Sequence, residues 1–224
     1  MIRLEKSEVL QRKIRQDDVA EMGIPTWTLV RETIQAGKTD EALDFLEYGL
    51  TENQAIQSQL VAFVNDTLTY LARFGEEEIL KVIRHRYDKR LKERLSQMSG
   101  LVETLQIFLE GQRAQFGNLS VVEEPDRYVM SQDPCGSIGK LWRTRSVGTT
   151  KQAYPWSWSK SGVPYYCVHC CAQEIIATEL RGYPVVINLS PEKPEDPCVR
   201  LFYKKPELIP EEYFTRIGMT KTIK

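Results

Sequence analysis

The sequence predicts an α+β protein in which an N-terminal helical bundle precedes a small antiparallel sheet packed on a helix. No proline occurs between Trp27 and Gln115, whereas ten of the eleven prolines lie beyond Gly117. Short runs rich in β-branched and aromatic residues also begin after Gly117. We therefore expect a helical domain over residues 1–117, which is also a candidate dimerisation surface, and a cysteine-rich α+β domain over residues 118–224.

The helices of the first half are marked by apolar residues that recur every three or four positions. The clearest stripe ends at Gly75, a typical helix terminator, and consists of Leu60, Val64, Thr67, Leu68 and Leu71. The segment that follows is acidic at its start and basic further on, which suits the dipole of a helix. Four or five helices are expected before residue 117.

The second half predicts short strands around a single helix. Turn-forming residues bound four β-rich runs, at residues 127–132, 139–145, 183–189 and 198–205. Between the second and third runs, residues 167–181 have helical spacing and are closed by Gly182. This order of elements predicts a small antiparallel sheet with a helix against it.

Composition narrows the class of protein and its partners. The chain has 224 residues, 42% of them hydrophobic and 27% charged, which is typical of a soluble globular protein. The formal net charge of −1 argues against nucleic acid and anionic membranes as partners. The first residues are charged and mixed, without the apolar stretch of a secretory signal, so we expect a cytoplasmic protein.

The cysteines are the strongest functional signal in the sequence. All five lie in the last part of the chain: Cys135, Cys167, Cys170, Cys171 and Cys198. An odd number of cysteines in a chain expected to be cytoplasmic does not favour a framework of disulfides. Metal ligands or a reactive thiol explain the cluster better.

Helical phase separates the three cysteines of the helix from one another. Cys171 shares an apolar stripe with Val168 and Ile175, so it is expected to be a small buried residue. Cys167 and Cys170 lie one turn apart on a neighbouring stripe, as a C-x-x-C pair whose thiols can converge on one ion.

A repeated tripeptide supplies two more candidate ligands. Asp-Pro-Cys occurs at residues 133–135 and again at 196–198, and each copy adjoins a predicted strand. Proline restricts the backbone beside the cysteine and so stiffens the point where the thiol lies. We expect a metal site, with zinc as the metal, formed by Cys135, Cys167, Cys170 and Cys198. The same four thiolates could instead hold an iron–sulfur cluster.

The leading functional hypothesis is a metal-dependent enzyme of the hydrolase or lyase type. If three cysteines bind zinc, the open position can polarise a substrate or activate water, and His169 or Glu174 would transfer protons. One alternative is a binding or sensory module with a structural four-cysteine zinc, and another is an iron–sulfur redox protein. A third is a metal-free enzyme in which Cys167 or Cys170, in the first turn of the helix, is the nucleophile.

Aromatic residues near the cysteines suggest the kind of substrate. Trp156, Trp158 and Tyr166 are candidates for the wall of a pocket that holds a small, partly aromatic or acidic molecule. Arg143 is a candidate to bind a carboxylate or a phosphate, because its guanidinium matches the geometry of both. A homodimer is a candidate oligomeric state.

Overall fold

The computed structural model describes residues 3–98 and 100–223, and it confirms the α+β class with a helical N-terminal region. Its contacts divide the chain into two compact units, of which one ends at Gln57 and the other begins at Ser58. This division falls inside a long helix, and the domain border predicted at residue 117 stays a prediction. Within the described ranges, no helix is both long and apolar enough to cross a membrane.

The first unit begins with a hairpin that the sequence analysis did not anticipate. Strands β1 (Arg3–Ser7) and β2 (Arg12–Gln16) pair antiparallel, and helices α1 (Thr26–Gln35) and α2 (Thr39–Leu71) follow. Charged residues fill both strands, so no alternation of apolar and polar residues marks them. Beyond the unit border, α2 exposes apolar side chains, Phe63 among them, and a homodimer stays a prediction.

Further helices belong to the second unit. They are α3 (Glu77–Gln97), α4 (Leu101–Arg113), α5 (Ile138–Thr144), α6 (Val168–Arg181) and α7 (Glu212–Thr215). Helix α6 packs against α3 in a core that contains Ile79 and Ile83 from α3 and Val168 and Ile175 from α6. The prediction of a helix that ends at Gly182 is confirmed, since α6 stops at Arg181 and Gly182 has a φ of 80°.

The sheet of the second unit is antiparallel, with the strand order β3-β4-β6-β5. Its strands are β3 (Leu119–Glu123), β4 (Arg127–Gln132), β5 (Ile187–Leu189) and β6 (Cys198–Tyr203). The predictions for β4 and β6 are confirmed, β5 is shorter than predicted, and β3 was not anticipated. The register sets Gln132 opposite Cys198, so the end of β4 adjoins the start of β6.

One predicted strand is wrong. Residues 139–145 were expected to be extended, but they lie largely in helix α5, which covers Ile138–Thr144. Ile138 and Leu141 are three positions apart and both pack into the core, which is helical spacing. A segment this short fits both the helical and the strand period, so its apolar pattern does not separate the two.

The sheet packs on α4 and adjoins α6. Met130 and Phe202 from the sheet form one core cluster with Leu105, and the ring of Phe108 on α4 meets Phe202 edge-on at 5.3 Å. Strand β5, at one edge of the sheet, contacts α6. The end of β4, the start of β6 and the start of α6 therefore bring their cysteines into one part of the unit.

Candidate functional site: thiols around a buried arginine

The four cysteines predicted to act together do lie in one neighbourhood. Cys135 follows the end of β4, Cys198 begins β6, and Cys167 and Cys170 lie at the start of α6. The Cys135 and Cys198 side chains are neighbours that shift each other's pKa, and the charge of Cys170 acts on Cys167 and Cys198. Cys135, Cys167 and Cys198 are buried, whereas Cys170 is half-buried.

This neighbourhood does not present the ligand geometry of a metal site. Among residues 3–98 and 100–223, no group of three or more histidine, cysteine or carboxylate side chains is arranged to hold a metal ion. A tetrahedral zinc site needs four ligands directed at one point. Zinc and the iron–sulfur cluster therefore both stay predictions.

A buried arginine accompanies the thiols. Arg200 lies two residues after Cys198 on the same face of β6 and is 3% exposed. Its Nε donates to Asn188 Oδ1 at 3.0 Å, one terminal nitrogen donates to Gln132 Oε1, and its guanidinium lies over the ring of Phe108.

The charge of Arg200 needs a partner. In the part of the chain that the structure describes, no carboxylate pairs with this guanidinium, and an uncompensated buried charge is costly. Burial alone would lower the pKa of Arg200, but the charges of Cys198, Cys170 and Cys135 hold it above its ordinary value. The thiols of Cys198, Cys170 and Cys135 are therefore the groups whose ionisation the buried cation favours.

The pKa values of Cys135 and Cys198 shift in opposite directions. The neighbouring Cys198 side chain, the charge of Arg200 and a contact with Ser137 Oγ at 3.2 Å hold the pKa of Cys135 well below its ordinary value despite burial. The neighbouring Cys135 side chain, together with burial, raises the pKa of Cys198 well above the ordinary range. Cys135 is therefore the member of the pair that loses its proton first.

Cys170 forms a second pair, with His169. Its sulfur lies 3.4 Å from His169 Nε2, while His169 Nδ1 donates to the carbonyl oxygen of Tyr166. That donation fixes the tautomer and leaves Nε2 to exchange a proton with the thiol. Burial opposes both charges, but the interaction raises the pKa of His169 to about 10 and lowers that of Cys170. The interaction therefore favours the thiolate form of Cys170 and the imidazolium form of His169.

Aromatic side chains surround the imidazole of His169. Tyr87 of α3 stacks on it at a ring distance of 6.0 Å, and Tyr166 meets it edge-on at 5.1 Å. Tyr166, His169 and Cys170 are half-buried. Cys167 differs, because burial and the neighbouring thiols raise its pKa well above the ordinary range.

No known protein suggests a function for this chain by similarity. No family model matches the chain, and no curated protein or solved structure is similar to it. The possible roles of the remaining predicted residues therefore follow from the contacts of their side chains.

Glu174 lies behind the thiols, fully buried, with its carboxylate engaged by the protein. It accepts hydrogen bonds from the backbone N–H of Asn188 at 2.6 Å and from Asn188 Nδ2 at 2.8 Å. Trp158 Nε1 and Arg216 also donate to it, at 3.0 and 2.8 Å. Burial raises the pKa of Glu174, whereas these donors favour its charged form. The arrangement ties α6 to β5 and to the C-terminal segment; proton transfer by Glu174 stays a prediction.

The other residues predicted to bind substrate are also occupied by the protein. Trp156 and Trp158 lie in the core, and Trp156 stacks on Tyr154 at a ring distance of 4.3 Å. Arg143 pairs with Asp133 and donates to the carbonyl oxygens of Pro194 and Glu195 at 2.8 and 3.0 Å. Arg143 thus joins the first Asp-Pro-Cys segment to the residues just before the second. Substrate contacts by these three residues stay predictions.

Three residues of the site, Arg200, Asn188 and Tyr87, were not predicted from the sequence. Arg200 carried a usable signal, because two-residue alternation from Cys198 sets it on the same face of the strand. Asn188 and Tyr87 carried no comparable signal, since their roles depend on how β5 and α3 pack against α6. The prediction that Cys171 is a buried core residue agrees with its position, where its thiol donates to the carbonyl oxygen of Pro155 at 3.4 Å.

Proposed function

We propose that this protein is a cysteine-dependent hydrolase that acts on a small molecule, with Cys170 as the nucleophile and His169 as the proton-transfer group. The contact of 3.4 Å between Cys170 Sγ and His169 Nε2, with Nδ1 anchored on the carbonyl of Tyr166, supports this assignment. A nucleophile, a base in contact with it and a third group that orients the base are what thiol catalysis requires. The cytoplasm, where thiols stay reduced, is the proposed compartment.

The proposed reaction follows from the charges of the pair. The thiolate of Cys170 attacks the carbonyl carbon of an amide or ester, and a sulfur–carbon bond forms. His169 Nε2 gives its proton to the leaving nitrogen or oxygen as the bond to the carbonyl carbon breaks. Water then attacks the thioester, His169 takes a proton from that water, and the thiolate of Cys170 is released with the acid product. Arg200, which hydrogen-bonds to Cys170, stabilises the thiolate between turnovers.

The surroundings of the pair favour a small substrate with an aromatic or other flat group. Tyr87 and Tyr166 flank the imidazole of His169, and ring faces of this kind bind planar molecules. Of the residues predicted to bind substrate, Tyr166 is the one that lies beside the reacting pair, so its role is kept in the proposal.

A zinc site formed by Cys135, Cys167, Cys170 and Cys198 stays a prediction. It can be tested in the same experiments as the assignment of Cys170 as the nucleophile. The proximity of the four side chains supports it, whereas their present arrangement does not form a ligand set. Metal analysis of protein purified without chelator separates the two hypotheses. One zinc per chain that is lost in Cys167→Ser, with Cys170 protected from alkylation, would contradict the nucleophile.

The decisive measurement is the alkylation rate of each cysteine against pH, followed by mass spectrometry of the peptides. We expect Cys170, which is half-buried, to be modified fastest at neutral pH. In His169→Gln its rate should fall by about tenfold or more, because the thiolate loses its cationic partner. Cys171→Ser is the matched control, since Cys171 is the next residue but lies in the core, and it should leave the rate unchanged.

A further inference from the structure

The Cys135–Cys198 pair forms a site of its own. Gln132, the last residue of β4, lies opposite Cys198, and the chain then turns so that Cys135 returns to the Cys198 thiol. The turn is held by a hydrogen bond from Asp133 N to the carbonyl of Asn118 at 3.1 Å and by the Arg143–Asp133 ion pair. Each cysteine is 7% exposed, so access is limited to small reagents.

The backbone beside Cys135 is fixed by tight packing. A Cβ at Gly136 would lie 2.3 Å from the carbonyl oxygen of Gln115, so this position requires glycine. The carbonyl of Cys135 accepts from Lys140 N at 3.2 Å. The sulfur of Cys135 therefore keeps its place next to Cys198, with Ser137 and Arg200 beside it.

We propose that Cys135 and Cys198 are a redox pair that forms a reversible disulfide when the protein meets hydrogen peroxide. One of the two sulfurs, after loss of its proton, attacks one peroxide oxygen, the O–O bond breaks, and with one proton the products are a sulfenic acid and water. The other thiol then displaces the hydroxyl of the sulfenic acid, which leaves a disulfide and a second water. The two cysteines lose two electrons in total, and a small thiol restores them by exchange.

The other cysteines have nearby partners that are not thiols. Cys170 contacts His169, and Ser190 lies near the Cys167 side chain. Cys171 donates to a backbone carbonyl in the core. The Cys135–Cys198 pair requires no turnover at Cys170, so this inference does not depend on the proposed hydrolase.

The test is made on the intact wild-type chain. The protein is treated with limiting peroxide, its free thiols are blocked under denaturing conditions, and its peptides are separated without reductant. We expect a linked peptide that contains Cys135 and Cys198, lighter by about 2 Da than the sum of its parts and released by a thiol reductant. In Cys198→Ser the link should disappear, and Cys135 should be trapped as a sulfenic acid by a dione reagent.

Cys171→Ser is the control and should form the link as the wild type does. The proposal is overturned if the principal product joins Cys167 to Cys170, or if Cys135 and Cys198 are both still alkylated after Cys170 has been oxidised. The wild-type result holds even if Cys198→Ser fails to fold, since it needs no variant.

Discussion

Two charged groups are buried near Asn188, and they differ in how their charge is compensated. Glu174 is met by Arg216 and by three further donated hydrogen bonds, so its charge is fully partnered. Arg200 donates to the side-chain amide oxygens of Asn188 and Gln132 and, in the part of the chain that the structure describes, to no carboxylate, and thiols lie near it. Asn188 joins the two, because it donates to Glu174 and accepts from Arg200.

This difference separates a structural site from a reactive one. A fully bonded carboxylate has no capacity left for a substrate, and its removal should cost folding free energy. A buried cation lowers the pKa of the thiols beside it, which raises the fraction of each that is a nucleophilic thiolate. Stability should therefore depend on Glu174, and thiol reactivity should depend on Arg200.

The largest expected effect is on the Glu174 side. In Glu174→Gln the new amide N–H₂ faces donors, and Arg216 loses its partner, so the free energy of unfolding should fall by about 3 to 5 kcal/mol. Urea unfolding measures this loss. Glu179→Gln on the same helix is the matched control, since its pair with Arg84 is exposed and its removal should cost less than about 1 kcal/mol. Equal losses in the two variants would contradict a special role for Glu174.

Asn188→Ala tests the link between the two groups. It removes one donor from Glu174 and leaves Arg200 Nε without its acceptor, so unfolding should become easier by about 2 to 3 kcal/mol. The variant should also alter the alkylation rate of Cys170, because Arg200 is no longer held in place. Unfolding by urea and alkylation on the same sample measure both effects. A loss of stability without any change in thiol reactivity would show that the two groups are independent.

Glu76 is a second buried carboxylate that the protein fully engages, and it makes a pH prediction. Burial opposes its charge, but hydrogen bonds from the Tyr165 hydroxyl at 2.6 Å and from Lys151 N at 2.8 Å outweigh this and lower its pKa. A carboxylate with a lowered pKa in the folded state stabilises the fold above its unfolded pKa, and this contribution is lost as the pH falls through the folded pKa.

Tyr165→Phe should therefore destabilise the protein by about 2 kcal/mol at neutral pH. The gap to wild type should shrink in acid, where Glu76 is protonated in both proteins. Urea unfolding at neutral and acidic pH measures the gap. Tyr70→Phe, at an exposed tyrosine of the same unit, should show neither effect. A gap that is constant with pH would mean that Glu76 is not the partner that matters.

Local patterns predicted the parts of the fold and site that depend on local structure. The repeat of three to four residues predicted α6 and set Cys171 in the core, and β-rich runs between turn-forming residues predicted β4 and β6. The same criterion predicted a strand at residues 139–145, where the chain forms α5, because a segment this short also fits the helical period. The environment of Arg200 depends on strands that are distant in sequence, so only the folded chain shows that it lacks a carboxylate.

The sharpest test of the comparison exchanges the two arginines in turn for methionine. In Arg200→Met the pKa of Cys135 and Cys170 should rise, and their alkylation rates at neutral pH should fall by about tenfold, one pKa unit being a factor of ten in thiolate. The free energy of unfolding should change little. The variant loses the hydrogen bonds of Arg200, but it no longer has to bury a charge that no carboxylate compensates.

In Arg216→Met the opposite should hold: the free energy of unfolding should fall, and the thiols should react as in wild type. If Arg200→Met leaves the rates of both cysteines unchanged, the thiolates do not depend on this buried charge, and the proposed nucleophile loses its electrostatic basis.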